Sequence, residues 1–562
     1  MADTALQSLE PRRIRSRTLK LKTEILMDRD KLIGVALLGL VFLLFFTQMK
    51  KKQEQPAAPS KAAQGTVQTA SAPSVGALNA RPALENYSGE NLTVVSNSLL
   101  SCTYDNELGD LAKVELFKSD VIKEIYDTLT KDSAEYELPI RLFSYGDLEG
   151  EKLSFNGGAG AFENTVVVTG VWNNTLLVTK TYTLSTSNYL TEVSLSLRNI
   201  TGSVLPQNDL KLWLGTIDKL NEAKERPPVR SLTVSYINDS GKEKIKRFNP
   251  GKESKTLDGA ITWASIGNRY FVHALAGKQQ AVRLETGYRP DKKASWLSAV
   301  LTYSVPELKP GETYEWQGTL YTGPKQYERL TALDKEMVCG SDYVKIIDLG
   351  WYSIIATWMM QYGLKLTYRY VGSYGISIII LTVIIKLLLW PLTTKSTMAM
   401  KKMQKLQPEI KAIQEKYKDD PKKQQEEMML LYRKYGYNPM GGCLPMLIQL
   451  PIFVALYQAL SNAIELHKTP FLWIADLSMP DKVGAIFGFP IHPLAIAMGV
   501  GMVAQQMLTP KMGDASQQKM MYFMPIIFTV LFYNMPSGLV LYWFVNQLLT
   551  MAQTTYLQYK KD

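Results

Sequence analysis

The sequence predicts a multi-span α-helical membrane protein carrying a large all-β domain on the non-cytoplasmic side. Three observations lead there. Long apolar runs stand near the start and through the last third of the 562 residues. The middle alternates apolar and polar residues with period two, the pattern of half-buried strands. The cations behind the net charge of +11 cluster beside the apolar runs, as the positive-inside rule distributes them. This placement argues against nucleic acid as a direct ligand, although a ribosome can still meet the basic segments.

Several chemistries are excluded early. Three cysteines make no disulfide framework, and none stands in CxxC or Cys/His metal spacing. His273, His467 and His492 are the only histidines, and no GxxxxGK[ST] loop occurs. No cofactor, metal or enzymatic activity is expected.

Residues 1–31 form a basic tail that includes Arg12, Arg13, Arg15 and Arg17. The apolar run 32–49 is of about the length that just spans a bilayer. It exceeds a usual signal-peptide core and leads into Lys50, Lys51 and Lys52 without a small-x-small site. An uncleaved anchor is therefore expected, with the N-terminus in the cytoplasm because the upstream cations outnumber those that follow. Residues 50–83, rich in Pro, Ala, Ser and Gln, read as a flexible linker.

From 84 to 333 short alternating runs such as 165–172, 191–198 and 296–303 are separated by Gly, Asn, Asp and Pro. They predict a large β-sandwich, placed outside the cytoplasm by the single span before it. Cys102 and Cys339 bracket this domain and either pair or remain two free thiols. His273 sits in an alternating run, where a lone histidine is more often packed than catalytic. A scaffold or docking domain is the better reading.

Residues 343–370 mix Trp351, Tyr352 and Trp358 with Lys345, Lys365 and Arg369. Too polar to span, they suit a helix lying in the outer interface. The second span, 371–393, carries Lys386. A cation there costs about 2.5–3.5 kcal/mol on insertion scales and marks a candidate site. Thr382, at i−4, shares its face. The competing reading is snorkelling towards the Lys395 end.

A charged segment, 394–436, follows. Met403, Leu406, Ile410, Ile413 and Tyr417 recur at helical spacing, Pro421 interrupts, and a second helix carries Met428, Met429, Leu431 and Tyr432. This predicts a helical hairpin, and its many cations put it in the cytoplasm. Met400, Met403, Met428 and Met429, with Lys401 and Lys402, could offer a soft basic surface for substrates or ribosomes. The alternative is a solvated coiled coil with methionine as filler.

The remaining apolar regions give spans at 443–464, 491–508, 520–535 and 537–556. They are joined by an outer loop at 465–490, an inner loop at 509–519 and a tight outer turn at Pro536, with an inner tail at 557–562. Six transmembrane helices result, with both termini cytoplasmic.

Polar groups recur inside these spans: Gln449, Gln505, Tyr542, Asn546 and Thr550. Tyr542, Asn546 and Thr550 lie at i, i+4 and i+8 on one face. No acid stands inside any span, so Lys386 does not read as half of a buried ion pair. An unpaired cation is tolerable where water reaches it, which favours a hydrated groove over snorkelling.

The C-terminal part also resembles the YidC insertase family. The resemblance is carried by Leu389-Trp-Pro-Leu-Thr, Met403-Gln-Lys-Leu-Gln-Pro-Glu-Ile, the run from Tyr437-Asn-Pro-Met-Gly-Gly-Cys-Leu-Pro-Met to Tyr457, Phe523-Met-Pro-Ile-Ile-Phe, and Pro536-Ser-Gly-Leu-Val-Leu-Tyr-Trp543. The anchor and outer domain look like the Gram-negative inner-membrane form. The resemblance implies a five-helix insertase core with a groove open to cytoplasm and lipid, and a periplasmic β-supersandwich. It implies nascent membrane proteins as substrates, with the Sec translocon, the ribosome and membrane lipids as partners. Lys386 matches a groove position usually held by arginine, keeping the charge and losing the planar fork. Tyr542 and Trp543 match an aromatic pair often written Tyr-Tyr, and Thr382 matches a polar groove position. A transporter with Lys386 as coupling site, and a tethered carbohydrate-active enzyme, are the alternative readings. Neither the paired charges nor the inverted repeats of a transporter are present.

Overall fold

The computed structural model describes residues 92–559, apart from stretches chiefly at 120–125, 128–140, 146–159, 215–230, 249–254, 290–295, 437–443 and 509–514. The expected tail, anchor and linker over 1–83 lie outside the described residues.

The alternating middle folds as antiparallel sheet. Leu92–Ser96, Leu100–Asp105, Asp110–Leu116 and Tyr126–Asp127 form a four-stranded sheet. Nine strands of a twelve-stranded sheet run in space from Glu243–Phe248 through Ser231–Ile237, Lys255–Gly267, Phe271–Arg289, Thr313–Pro324, Leu190–Asn199, Leu176–Leu184 and Thr165–Trp172 to Gly160–Phe162, and Trp296–Val305, Asn208–Trp213 and Arg141–Tyr145 branch from them. The long strand Phe271–Arg289 changes partner along its length. Its first part pairs with Thr313–Pro324 and its last part with Trp296–Val305. A strand shared in this way turns the corner between layers.

Period two decides which side chains face the core. Val166, Val168 and Trp172 are buried on one strand, and Leu176, Val178, Tyr182 and Leu184 on its neighbour. Lys180 takes an inward position in that second run and is also buried. Its Nζ lies 2.7 Å from Oδ1 of Asp110, which is equally enclosed, while the Tyr182 hydroxyl donates to the Gly109 carbonyl at 2.9 Å. Together they tie the small sheet to the large one. His273 is buried, with Nδ1 2.9 Å from the Thr322 hydroxyl. Burial lowers its pKa to about 4, so it is a neutral packed residue.

Cys102 and Cys339 are both free. Burial pushes the Cys102 thiol up to about 12. The Cys339 thiol is occupied elsewhere, donating to the carbonyls of Gly277 at 2.8 Å and Thr262 at 3.3 Å. Among the described residues, Cys102 and Cys339 are therefore two unpaired thiols.

The chain then becomes helical. Helix α1 (Tyr327–Glu336) is followed by α2 (Ser353–Trp358), a π-helical turn at Met359–Lys365 and α3 (Leu366–Val371). Gly372, at φ 64°, ends that run through the left-handed conformation that glycine adopts without a Cβ clash. Along the run Met359, Met360 and Leu364 are buried, while Ile354, Tyr362 and Tyr370 are exposed. Exposed Ile and Tyr beside cations are the residue types of a membrane interface.

Helix α4 (Tyr374–Lys416) is continuous for 43 residues through Pro391 and Pro408. The expected boundary between span and hairpin at 393/394 therefore falls inside one helix. Each proline costs a backbone bond, and just beyond Pro391 the Thr393 hydroxyl bonds back to the Leu389 carbonyl at 3.0 Å. Helix α5 (Pro421–Lys434) starts on the Asp420 cap, whose carboxylate accepts from the Lys423 amide at 3.2 Å. It folds back on α4 around Leu406, Ile410 and Leu431.

Four further helices follow: α6 (Leu444–Asn462), α7 (Pro493–Leu508), α8 (Ala515–Phe532) and α9 (Ser537–Tyr559). Helix α9 packs on α4 and α7, and α7 on α8. Among the described residues Tyr374–Ala399 is long and apolar enough to cross a membrane, whereas the apolar parts of α7 and α8 are shorter.

The β-domain docks on the helical part. The Tyr270 ring stacks on His467 with centroids 4.4 Å apart, and Arg269 reaches the Ser461 carbonyl at 3.5 Å. Arg247 pairs with Asp348 at 3.5 Å, and Lys365 pairs with Glu328.

Candidate functional site

Helices α4 and α9 lie side by side and run parallel, because contacts between them advance along both chains together. Lys386 meets Thr550, Thr393 meets Gln553 and Lys401 meets the Leu557 carbonyl. These contacts form a polar seam inside an apolar bundle. Helical periodicity on each element brings the polar residues to the shared face.

Lys386 is the charge in that seam. It is only 6% exposed, and its Nζ donates to Thr550 Oγ1 at 2.7 Å. The Thr550 hydroxyl in turn donates to the Asn546 carbonyl at 2.7 Å. Among the described residues no carboxylate pairs with Lys386. A buried ammonium held by a hydroxyl rather than a carboxylate has no countercharge in that contact and keeps spare N–H donors, so the site can attract an acidic or carbonyl-bearing group.

The seam continues towards the hairpin. Gln553 Nε2 lies 2.9 Å from Thr393 Oγ1 and 3.1 Å from Thr394 Oγ1. Lys401 reaches the Leu557 carbonyl at 3.4 Å. Towards the other end, Gln449 on α6 donates to the Tyr542 hydroxyl at 2.5 Å.

Beyond Tyr542 the bundle becomes apolar and closed. Ile378, Leu381, Leu466, Leu477, Leu539 and Val540 are all buried there. The 465–490 loop seals this end, since Ser537 and Gly538 amides donate to the carbonyls of Met479 at 2.8 Å and Leu477 at 2.9 Å. A Cβ on Gly375 would stand 2.1 Å from the Phe471 ring, so the loop presses directly on α4.

The predicted residues divide. Lys386 meets Thr550, and Gln449 meets Tyr542, whereas Asn546 takes part only through its main-chain carbonyl, which accepts the Thr550 hydroxyl within α9. Thr382 shares the Lys386 face, but its hydroxyl is satisfied by the Ile378 carbonyl of its own helix at 2.7 Å. Trp543 turns away into an aromatic cluster, 5.2 Å from both Phe453 and Phe532 and 5.9 Å from Phe528. Adjacent residues on a helix point about 100° apart, so Tyr542 and Trp543 cannot line one face. Gln505 is half-buried on α7. In the hairpin, Met428 packs against the hairpin's own core. Met429 is half-buried and Lys402 exposed. Met400 and Met403 stand on α4, and their side chains lie outside the described residues.

Sequence reasoning missed Gln553, Thr393 and Thr394 as members of the seam. The signal for Gln553 was present, three residues after Thr550 on the same face. Gln547 is a further feature: it is 3% exposed, and among the described residues neither its amide nitrogen nor its oxygen has a partner.

Comparison with known proteins adds the family. Residues 94–362 match the model of the YidC periplasmic domain, and 366–562 that of the 60Kd inner membrane protein. The membrane protein insertase YidC of Geobacter sp. is 36% identical over 432 residues, 76% of each chain. That of Syntrophobacter fumaroxidans is 37% identical over 390 residues, 67% of each chain. The Pelobacter propionicus protein is 41% identical over 331 residues, 58% of this chain and 59% of its own. Among solved structures, an active YidC insertase is 21% identical, with 84% of this chain and 93% of that chain covered at a TM-score of 0.37. A galactose mutarotase-related enzyme from Lactobacillus acidophilus, at 8% identity, has a TM-score of 0.31 and covers 41% of this chain. With two domain models accounting for nearly all of 94–562 and relatives aligned over two thirds of its length or more, the chain belongs to the YidC family of membrane protein insertases.

Proposed function

We propose that this chain inserts nascent membrane proteins into the bacterial inner membrane by way of the seam between α4 and α9. The observation that carries the reading is the polarity of that seam. A buried, unneutralised Lys386 stands at its head, hydroxyls and amides lead from it towards the hairpin, and an apolar plug closes the other end.

Moving an apolar segment into lipid is downhill. The barrier is the polar flank that must cross with it. A polar half-channel shortens that crossing, and Lys386 attracts the acidic or polar tail while the apolar segment leaves sideways into lipid. Six spans with both termini cytoplasmic fit this reading: the parallel course of α4 and α9 requires an odd number of crossings between them, and α6, α7 and α8 supply three. The hairpin then lies in the cytoplasm, where its cations and exposed Leu430 can gather substrates and meet a ribosome. The periplasmic domain, docked through Tyr270 and Arg269, serves as an accessory to the helical part.

Depleting the protein in cells and following small one- and two-span substrates by protease accessibility tests this. A specific insertion defect, rescued by residues 343–562 behind a membrane anchor, is expected. Normal insertion of every tested substrate would overturn the reading.

A further inference from the structure

The loop between α6 and α7 carries a feature that the polar seam does not use. Gly484–Ile486 and Phe489–Ile491 form a β-hairpin with Ile486 paired to Phe489. The two residues between them, Phe487 and Gly488, both have positive φ, at 50° and 83°. This is a two-residue turn of the type that favours Asn-Gly, because a bulky side chain is strained at its first position. Elsewhere in the described residues Asn173, Asn174 and Asp342 take the left-handed conformation, as short polar residues can. In this loop Lys468, Leu472 and Phe487 take it.

Those strained residues are also the exposed ones. Phe487 is 97% exposed, Phe489 77% and Leu472 76%, with Ile486, Val483 and Trp473 all above half. A patch of this kind on a water-facing loop is unfavourable unless something apolar covers it.

The base of the hairpin is fixed. Asp481, buried, accepts from the Trp473 indole at 3.2 Å and from the Leu494 amide at the start of α7 at 2.6 Å. The Tyr533 hydroxyl donates to the Pro490 carbonyl, and its ring meets His492 edge-on at 4.7 Å. The apolar tip is therefore held on the end of α7. That helix continues the apolar surface through the exposed Ile496, Val500 and Val503.

We propose that the Phe487 hairpin is a wedge seated in the outer leaflet of the bilayer, with Phe487, Phe489 and Trp473 at the level of the headgroups and upper acyl chains. The occupant is lipid, since the patch is continuous with the apolar face of α7. Aromatic and aliphatic side chains together suit that depth. Lys468 and Lys482, exposed in the same loop, suit anionic headgroups. The proposal rests on the reading that α6 and α7 cross the membrane.

The test uses the full chain with its three cysteines replaced by serine, in liposomes of phosphatidylethanolamine and phosphatidylglycerol. Spin labels go on single cysteines at Phe487→Cys, Ala485→Cys, Val500→Cys and Lys309→Cys, the last an exposed site in the β-domain. Collision with oxygen, relative to a water-soluble nickel chelate, should be several-fold higher at 487, 485 and 500 than at 309. Adding Phe487→Asn, which suits the turn, should shift the 485 label towards water. Aqueous labels at 487 and 485 with a lipid-facing label at 500 would overturn the wedge and leave the span intact. Labels shielded from both reagents would also overturn it, by showing a protein occupant. Aqueous behaviour at 500 as well would instead overturn the spanning reading itself. An unchanged 485 label in the Phe487→Asn background would remove the ring from the proposal.

Discussion

Lys386 on α4 donates to the hydroxyl of Thr550 on α9 at 2.7 Å, and Thr550 passes its own hydrogen to the Asn546 carbonyl. The lysine is thereby positioned without being neutralised. A carboxylate in the place of Thr550 would give a closed ion pair, with little left to attract a substrate. A hydroxyl leaves the electrostatic pull in place.

Removing the charge should matter more than removing its tether. Lys386→Ala is expected to lower insertion of single-span substrates with acidic tails about tenfold, matching the ~1.4 kcal/mol that one charge-assisted contact can supply. Lys386→Arg should retain most activity and Thr550→Val should lose less than Lys386→Ala. Protease protection of substrates in inverted vesicles measures all three. Equal insertion by Lys386→Ala and the native protein would remove electrostatics from the mechanism.

The orphaned Gln547 amide separates stability from function. It lies against Gly501, where a Cβ would stand 3.0 Å from its nitrogen, and both of its polar atoms lack partners among the described residues. Gln547→Leu should raise stability by about 1–3 kcal/mol, the cost of a buried unsatisfied group. It should also slow insertion if this amide serves polar groups in transit. Thermal unfolding in detergent beside an insertion assay reads the two effects apart.

In the β-domain, Lys180 and Asp110 are enclosed partners at 2.7 Å. Either Lys180→Met or Asp110→Leu should cost about 3–5 kcal/mol, because each leaves a buried charge without its opposite. The double change Lys180→Met with Asp110→Leu should recover most of that loss. Urea unfolding followed by circular dichroism tests the cycle, and additivity of the two single costs would contradict it.

His273 makes the same domain sensitive to acid. Its pKa is lowered from 6.5 to about 4 by burial, so the unfolded chain binds this proton more readily than the folded one. Its contribution is complete above about pH 6.5 and is lost as pH falls to about 4. The loss reaches up to about 3 kcal/mol across that window. His273→Gln should flatten this part of the stability profile, measured by chemical denaturation at successive pH values.

Much of the organisation was legible because the signals are local. Period two in 165–172 and 176–184 places alternate residues in the core wherever that core lies. Pro421 was legible as the break between the two hairpin helices, and the structure adds that Asp420 caps the second of them. The continuity of α4 was less legible. The span was expected to end at 393, just past Pro391, yet packing against α9 and the Leu406–Ile410–Leu431 core carries one helix through Pro391 and Pro408. Likewise Tyr542 and Trp543 are neighbours in sequence, and only helix rotation shows that one enters the seam and the other an aromatic cluster.

By itself the sequence determined the division into an alternating β-domain and apolar helices, the family, and the presence of a cation inside a membrane-length run. Each of these follows from residue type and spacing along the chain. Only the tertiary structure decided what that cation touches. Lys386 and Thr550 are 164 residues apart, and their contact depends on α4 and α9 lying parallel with one face of each turned inward. The same holds for Lys180 on Asp110, 70 residues away, and for the loop that presses Phe471 on Gly375. A hydrogen bond or a steric contact acts over a few ångströms, so helix packing and strand register, rather than spacing along the chain, determine which polar groups find one another.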